Sequence, residues 1–161
     1  MKQEKFQFTF EVFESIDELN AVDQQLLTEA RNTTSKAYAP YSNFRVGAAA
    51  KLQNGKIVTG TNQENASYPV GICAERVLLS AVSSFYPDVP VETMAVSYQS
   101  NKIKSDHPIS PCGMCRQALL EFEGRTDQMI RLILSGIVGK IYIIKSASQL
   151  LPLAFSSEEL G

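Results

Sequence analysis

The chain has 161 residues, 44% of them apolar and 20% charged, values ordinary for a globular protein long enough to bury a core without cross-links. Fifteen lysines and arginines stand against 17 aspartates and glutamates, and the resulting net charge of -2 excludes a broad basic surface for nucleic acid. No apolar run reaches the roughly 18 residues of a membrane span, and charges interrupt the start where a signal peptide needs an unbroken apolar stretch, so one cytoplasmic domain over residues 1–161 is expected.

Phe6, Phe8, Phe10 and Val12 alternate with polar neighbours, which predicts an extra N-terminal strand or arm within residues 1–14. Ser15 and Glu18 form a capping-box pattern ahead of Leu19, Val22, Leu26, Leu27 and Ala30. A first helix is therefore predicted from about Ile16 to about Tyr38, ending before Pro40. Next, RVGAAAKLQ and KIVTGT flank Asn54-Gly55, the signal of a β-hairpin. Val77, Leu78, Ala81, Val82 and Phe85 recur at helical spacing, so a second helix begins near Cys73.

ETMAVSY reads as a buried strand and is followed by a polar loop. In PCGMCRQALLEF, Pro111 and Gly113 mark a helix start, with Cys112 and Cys115 in its first turn and Leu119 and Leu120 beyond. MIRLILS and KIYIIK read as two more strands, and SASQLLPLAF as a helical turn with an extended end. This order predicts an α/β sandwich around a mixed sheet, with the hairpin as its antiparallel edge.

Three cysteines suit a disulfide framework poorly and suit reduced thiols held for metal or catalysis. Each falls at a predicted helix N-terminus, where unpaired N–H groups and the helix dipole favour a thiolate. Three thiolates converging on zinc would leave a fourth position open, the pattern of catalytic rather than structural sites. Buried core cysteines are the plain alternative, since C-x-x-C alone is a weak signal. Pro111, a separate cysteine at a helix start and Glu75 two residues after it favour zinc. Glu75 could be an ordinary first-turn carboxylate, but from that position it can reach a water on the metal's open face and move protons. His107, the one histidine, lies among Lys, Ser and Asp and reads as a solvated side chain, giving little support to a triad.

Cys73-Ala74-Glu75 followed by Pro111-Cys112-Gly113-Met114-Cys115 resembles the established signature of zinc nucleobase deaminases. With PYSNFRVGAA, GTNQENASYPVGICAER, ISPCGMCRQ and LLPLAF, the chain resembles the small homotetrameric cytidine deaminases that act on free nucleosides, over roughly residues 30–155. The resemblance implies a three-layer α/β/α sandwich around a mixed five-stranded sheet. It implies one zinc per subunit, held by Cys73, Cys112 and Cys115. Glu75 would take a proton from water, deliver it to pyrimidine N3 and later help protonate the leaving amine. Cytidine and deoxycytidine would become uridine and deoxyuridine plus ammonia, in pyrimidine salvage.

The same resemblance places Phe44 against the pyrimidine, Asn62 and Glu64 on a ribose hydroxyl, and Ala66 among the substrate-binding residues. Tyr68 and Phe155 would stand at subunit boundaries, with Phe155 completing a neighbour's pocket in active sites shared across the tetramer. Arg76 would donate to the ligand sulfurs, offsetting the net negative charge that three thiolates give the metal. Outside the family these are a core phenylalanine, a turn-capping asparagine, a surface glutamate, ordinary core aromatics and a solvated arginine.

Two other readings compete. A structural zinc module would normally close the metal with four ligands, and only three cysteines are present. Deaminases of blasticidin S or of polynucleotides share the zinc signature, but Asn62 and Glu64 favour a plain nucleoside and the acidic balance disfavours strand binding. Against the minimal family core, the segment before about residue 20 is longer and richer in phenylalanine, which bears on assembly rather than chemistry.

Overall fold

Strands β2 (Phe44–Leu52) and β3 (Ile57–Thr61) meet at the Asn54-Gly55 turn, where Gly55 takes the positive φ of 81° that the turn requires. Around this hairpin the computed structural model, which describes residues 1–160, adds α1 (Ala21–Thr33), α2 (Ala74–Phe85), β4 (Val91–Ser100), α3 (Gly113–Thr126), β5 (Arg131–Ser135) and β6 (Ile141–Ile144). With β1 (Glu11–Phe13) these strands form one mixed sheet in the order β1-β6-β5-β4-β2-β3. Only β4 and β5 run parallel, joined through α3. The expected five strands are thus six. The outer edge of β6 carries unpaired backbone groups, and Glu11–Phe13 satisfies them in antiparallel register, with Phe10 packed on Tyr142 at 4.9 Å. β6 ends at Ile144, so the alternation of Phe6 and Phe8 continues into an arm with no strand to pair with.

The first helix also departs from its predicted bounds. Ile16–Glu18 forms a single 3-10 turn, and the α-helix begins only at Ala21. The reason is a better cap: Asn20 Oδ1 accepts from the N–H of both Val22 and Asp23 at 3.0 Å, whereas Ser15 caps nothing and Glu18 turns back to the N–H of Glu14. At its other end the helix passes into a 3-10 turn over Thr34–Lys36, short of Tyr38.

Period-two alternation divides the sheet between two cores. Leu26, Leu27 and Ala30 of α1 pack with Ala49, Ala95 and Ile133 on one face. Leu78 and Val82 of α2 and Leu119 and Phe122 of α3 pack with Ala48, Ala50, Met94 and Val96 on the other. The result is the expected α/β/α layering. No helix among the described residues is long and apolar enough to cross a membrane.

The α2 layer sits close enough on β3 that a Cβ at Gly60 would lie 2.6 Å from both the Ala74 carbonyl oxygen and the Leu78 nitrogen. Both obstacles are backbone at the start of α2, so neither can rotate away. Gly60→Ala is expected to lower the unfolding free energy by about 1–3 kcal/mol, the usual range for overpacking. Urea denaturation checks this, and an unchanged midpoint would contradict the close approach.

Candidate active site

Cys73 is the N-cap of α2, Cys112 the N-cap of α3, and Cys115 lies in the first turn of α3. Two helix N-termini therefore face one another across three thiols. The Cys73 and Cys112 sulfurs are 3.7 Å apart, Cys112 and Cys115 are 3.5 Å apart, and all three sulfurs lie within 4.8 Å of one another. Tetrahedral zinc with Zn–S bonds of about 2.3 Å requires sulfur separations of about 3.8 Å. The donor set and its spacing fit zinc. Cys115 is buried, Cys73 half-buried and Cys112 exposed, so the cluster is open on one side.

The neighbouring Cys115 thiol is the main influence that holds Cys73 down at about 6; burial and the Glu75 carboxylate oppose this, while Cys112 and the Arg76 charge assist it. Cys115 is pushed up by its coupling to Cys73, and burial adds to the effect. Glu75 is 5% exposed, in the first turn of α2, with no cation paired to it among the described residues. Burial raises its carboxyl above the usual range, against the lesser opposing effect of its own backbone N–H. A buried carboxylate beside a metal-competent thiol cluster is suited to accepting and returning protons.

A cavity of about 420 Å³ opens beside Cys73, its wall including Tyr41, Ser42, Asn62, Glu64 and Tyr68. Asn62 Oδ1 accepts from the Val46 N–H at 2.7 Å, and its Nδ2 donates to the Phe44 carbonyl at 2.8 Å. Glu64 accepts from the N–H groups of Tyr41 at 2.9 Å and Ser42 at 3.3 Å. Burial alone would raise the Glu64 carboxyl, but hydrogen bonds from the Ser42 hydroxyl and these backbone groups, with the Lys102 charge, bring it below its ordinary value. Asn62 and Glu64 thus line the cavity and also fasten the 41–46 segment.

The other predicted site residues are more dispersed. Phe44 stands beside the cavity rather than in its lining, stacked on Tyr98. Ala66 is exposed and outside the lining. Tyr68 is 78% exposed and meets Tyr41 edge-on at 6.2 Å. Phe155 is 60% exposed, away from this cavity, with its carbonyl held by Gln117 Nε2 at 2.9 Å. Arg76 lines the groove between α2 and α3 with Ser80, Ser83 and Phe122, and no hydrogen bond joins it to a sulfur among the described residues. His107 is exposed, its ring 3.2 Å from the Tyr98 hydroxyl and from Asp106.

Sequence reasoning gave no role to Arg116, which follows the last cysteine. Its Nε donates to the Pro111 carbonyl at 2.8 Å and its Nη1 to the Leu150 carbonyl at 3.0 Å, tying the Cys112 approach to the C-terminal segment. The motif PCGMCRQ contains this arginine, but only the folded contact reveals what it holds.

A family model for the cytidine and deoxycytidylate deaminase zinc-binding region matches residues 20–130. A cytidine deaminase of Halalkalibacterium halodurans is 35% identical over 138 residues, covering 86% of this chain and 97% of that protein. One from Sporosarcina psychrophila is 34% identical, covering 86% and 94%. The crystal structure of cytidine deaminase from Burkholderia pseudomallei superposes with a TM-score of 0.69 at 40% identity, covering 81% of this chain and 97% of that one. That from Mycobacterium tuberculosis gives 0.65 at 32%, covering 84% and 98%. The chain belongs to this family and is an enzyme of the cytidine deaminase class.

Because Arg116 fixes the carbonyl immediately before Cys112, Arg116→Met is expected to weaken zinc retention about tenfold, as loss of supporting contacts around a metal site commonly does. Competition with a chromogenic chelator measures this; unchanged affinity would remove the role.

Proposed function

We propose that the protein hydrolyses the exocyclic amine of free cytidine and deoxycytidine, releasing ammonia and leaving uridine and deoxyuridine, as a step of pyrimidine salvage. The observation that carries this reading is the buried Glu75 in the first turn of α2, beside three thiols that converge from two helix starts. Cys73, Cys112 and Cys115 would hold one zinc per subunit, and zinc so held supplies the Lewis acidity that makes water a nucleophile at neutral pH.

The chain's own residues supply the rest. Glu75 takes a proton from the attacking water and passes it to pyrimidine N3, then takes the second proton from the hydroxyl added at C4 and delivers it to the amine, so that ammonia leaves as the C4 carbonyl forms; its burial raises its proton affinity toward that of the groups it serves. Phe44 packs on the pyrimidine face. Asn62 and Glu64, on the cavity wall, hydrogen-bond a ribose hydroxyl, and would be left without that partner by a free base. Ala66, one residue beyond the lining residue Asn65, would touch the substrate from the rim.

The exposed rings of Tyr68 and Phe155 suit covered positions in a homotetramer, with Phe155 completing a neighbour's pocket. The net charge of -2 speaks against a polynucleotide substrate. Three unpaired cysteines fit the reducing cytoplasm, with the whole chain acting as one domain.

Loss of cytidine absorbance on adding purified protein tests the reading directly. Glu75→Ala is expected to lower kcat by about 10³-fold or more with zinc content unchanged, and free cytosine to be a substrate poorer than cytidine by about 10²-fold or more in kcat/KM. A zinc-loaded wild type that leaves cytidine untouched would overturn the proposal. Arg76→Gln is expected to lower kcat while retaining zinc, since the guanidinium charge would offset the net negative charge that three thiolates give the metal and so favour ionisation of water there. Normal turnover in that variant would free Arg76 from any part in catalysis.

A further inference from the structure

Tyr98 lies on β4 directly across from Val46 of β2 and is fully buried. A phenol in such a place needs a partner for its hydroxyl, and it donates to the Lys104 carbonyl at 3.0 Å. Its ring lies nearly parallel to that of Phe44, with centroids 4.9 Å apart and planes inclined by 18°. One side chain thus joins the start of β2 to the segment that leads from β4 to Cys112.

Both ends of this connection are themselves held. On one side, the Phe44 N–H donates to Ser42 Oγ at 2.9 Å and its carbonyl accepts from Asn62, so its backbone is fixed and only its ring remains to be positioned. On the other, Ser105 Oγ accepts from the Ser100 N–H at 2.9 Å and the Ser105 carbonyl accepts from the Val138 N–H at 3.2 Å. The turn after β5 presses so closely on this segment that a Cβ at Gly136 would collide with the Ser105 carbonyl oxygen, and one at Gly139 with that of Asp106. The Lys104 carbonyl is followed directly by these tethered residues, and the Tyr98 side chain links it to the Phe44 ring.

We propose that Tyr98 is a positioning residue for substrate, a backing plate that fixes the Phe44 ring in the orientation that receives the pyrimidine. The inference rests on the reading of Phe44 given above. A ring already stacked on one face loses little freedom when a base packs on the other, so the ordering cost of binding is met before substrate arrives. The effect falls on substrate affinity and leaves the proton transfers of Glu75 unaltered.

The test is a steady-state comparison of zinc-loaded wild type with Tyr98→Phe, Tyr98→Leu, Tyr98→Met, Phe44→Leu and the double variant Phe44→Leu/Tyr98→Leu, with zinc content measured in each. KM for cytidine should rise about tenfold in Tyr98→Leu and Tyr98→Met, with kcat within about twofold of wild type and zinc unchanged. Tyr98→Phe keeps the stack but loses the tie to the Lys104 carbonyl, and should raise KM about threefold, between wild type and Tyr98→Leu. The double variant should be no worse than Phe44→Leu alone, because Tyr98 acts only through that ring. Tyr98→Met provides the reading if Tyr98→Leu does not accumulate as folded protein, since a flexible thioether fills the vacated volume.

If Phe44→Leu raises KM but the non-aromatic Tyr98 variants do not, or if the two effects add, Tyr98 is ordinary core and the inference fails while the reading of Phe44 stands. Loss of zinc and kcat together in the Tyr98 variants would likewise reduce it to a fold residue. An unchanged KM in Phe44→Leu would overturn the reading of Phe44 and this inference with it.

Discussion

Two helix starts meeting sulfur to sulfur form the constraint around which the rest of the structure is arranged. Cys73 and Cys112 are far apart in the chain, yet each caps a helix and their sulfurs lie 3.7 Å apart. That requires α2 and α3 to occupy the same face of the sheet, which the shared core of Leu78, Val82, Leu119 and Phe122 provides. It also requires the chain to return parallel after α3, as β5 does beside β4. The N-terminal ends of helices concentrate unpaired N–H groups and positive potential, so the fold gathers its thiols where a thiolate is least costly.

What could be read from the sequence followed from how local each signal was. The hairpin announced itself through Asn54-Gly55, and α2 and α3 through apolar spacing and the residues that begin them, because turn and helix-start chemistry acts within a few positions. The start of α1 was misread because two capping signals lie five residues apart, and Asn20 satisfies two N–H groups where Ser15 satisfies none. β1 was legible as alternation, but its length was not, since that depends on where β6 stops. The thiol cluster was legible as spacing and chemistry. The contacts of Arg116, the double engagement of Asn62 and the stack of Tyr98 on Phe44 join residues distant in sequence, and no pattern within the chain announces them.

Asn62 and Glu64 illustrate how economical the cavity wall is. Their polar atoms hold the backbone of residues 41–46, the segment that carries Phe44, while their side chains form part of the cavity surface. A group that contacts a ligand and also supports a neighbouring contact ties the two together, so the parts of such a site are not energetically independent.

The three-residue strand β1 has a consequence for the outside of the molecule. A sheet whose last strand is long and flat offers a ladder on which another chain can continue, and proteins blunt such margins by shortening them or placing charge there. Here the margin is Glu11, Val12 and Phe13, paired on its inner side to Ile143, Tyr142 and Ile141. So few free rungs, one of them bearing a carboxylate, give an incoming strand almost nothing to zip onto. On this side the sheet is finished, and an incoming strand finds no ladder to continue.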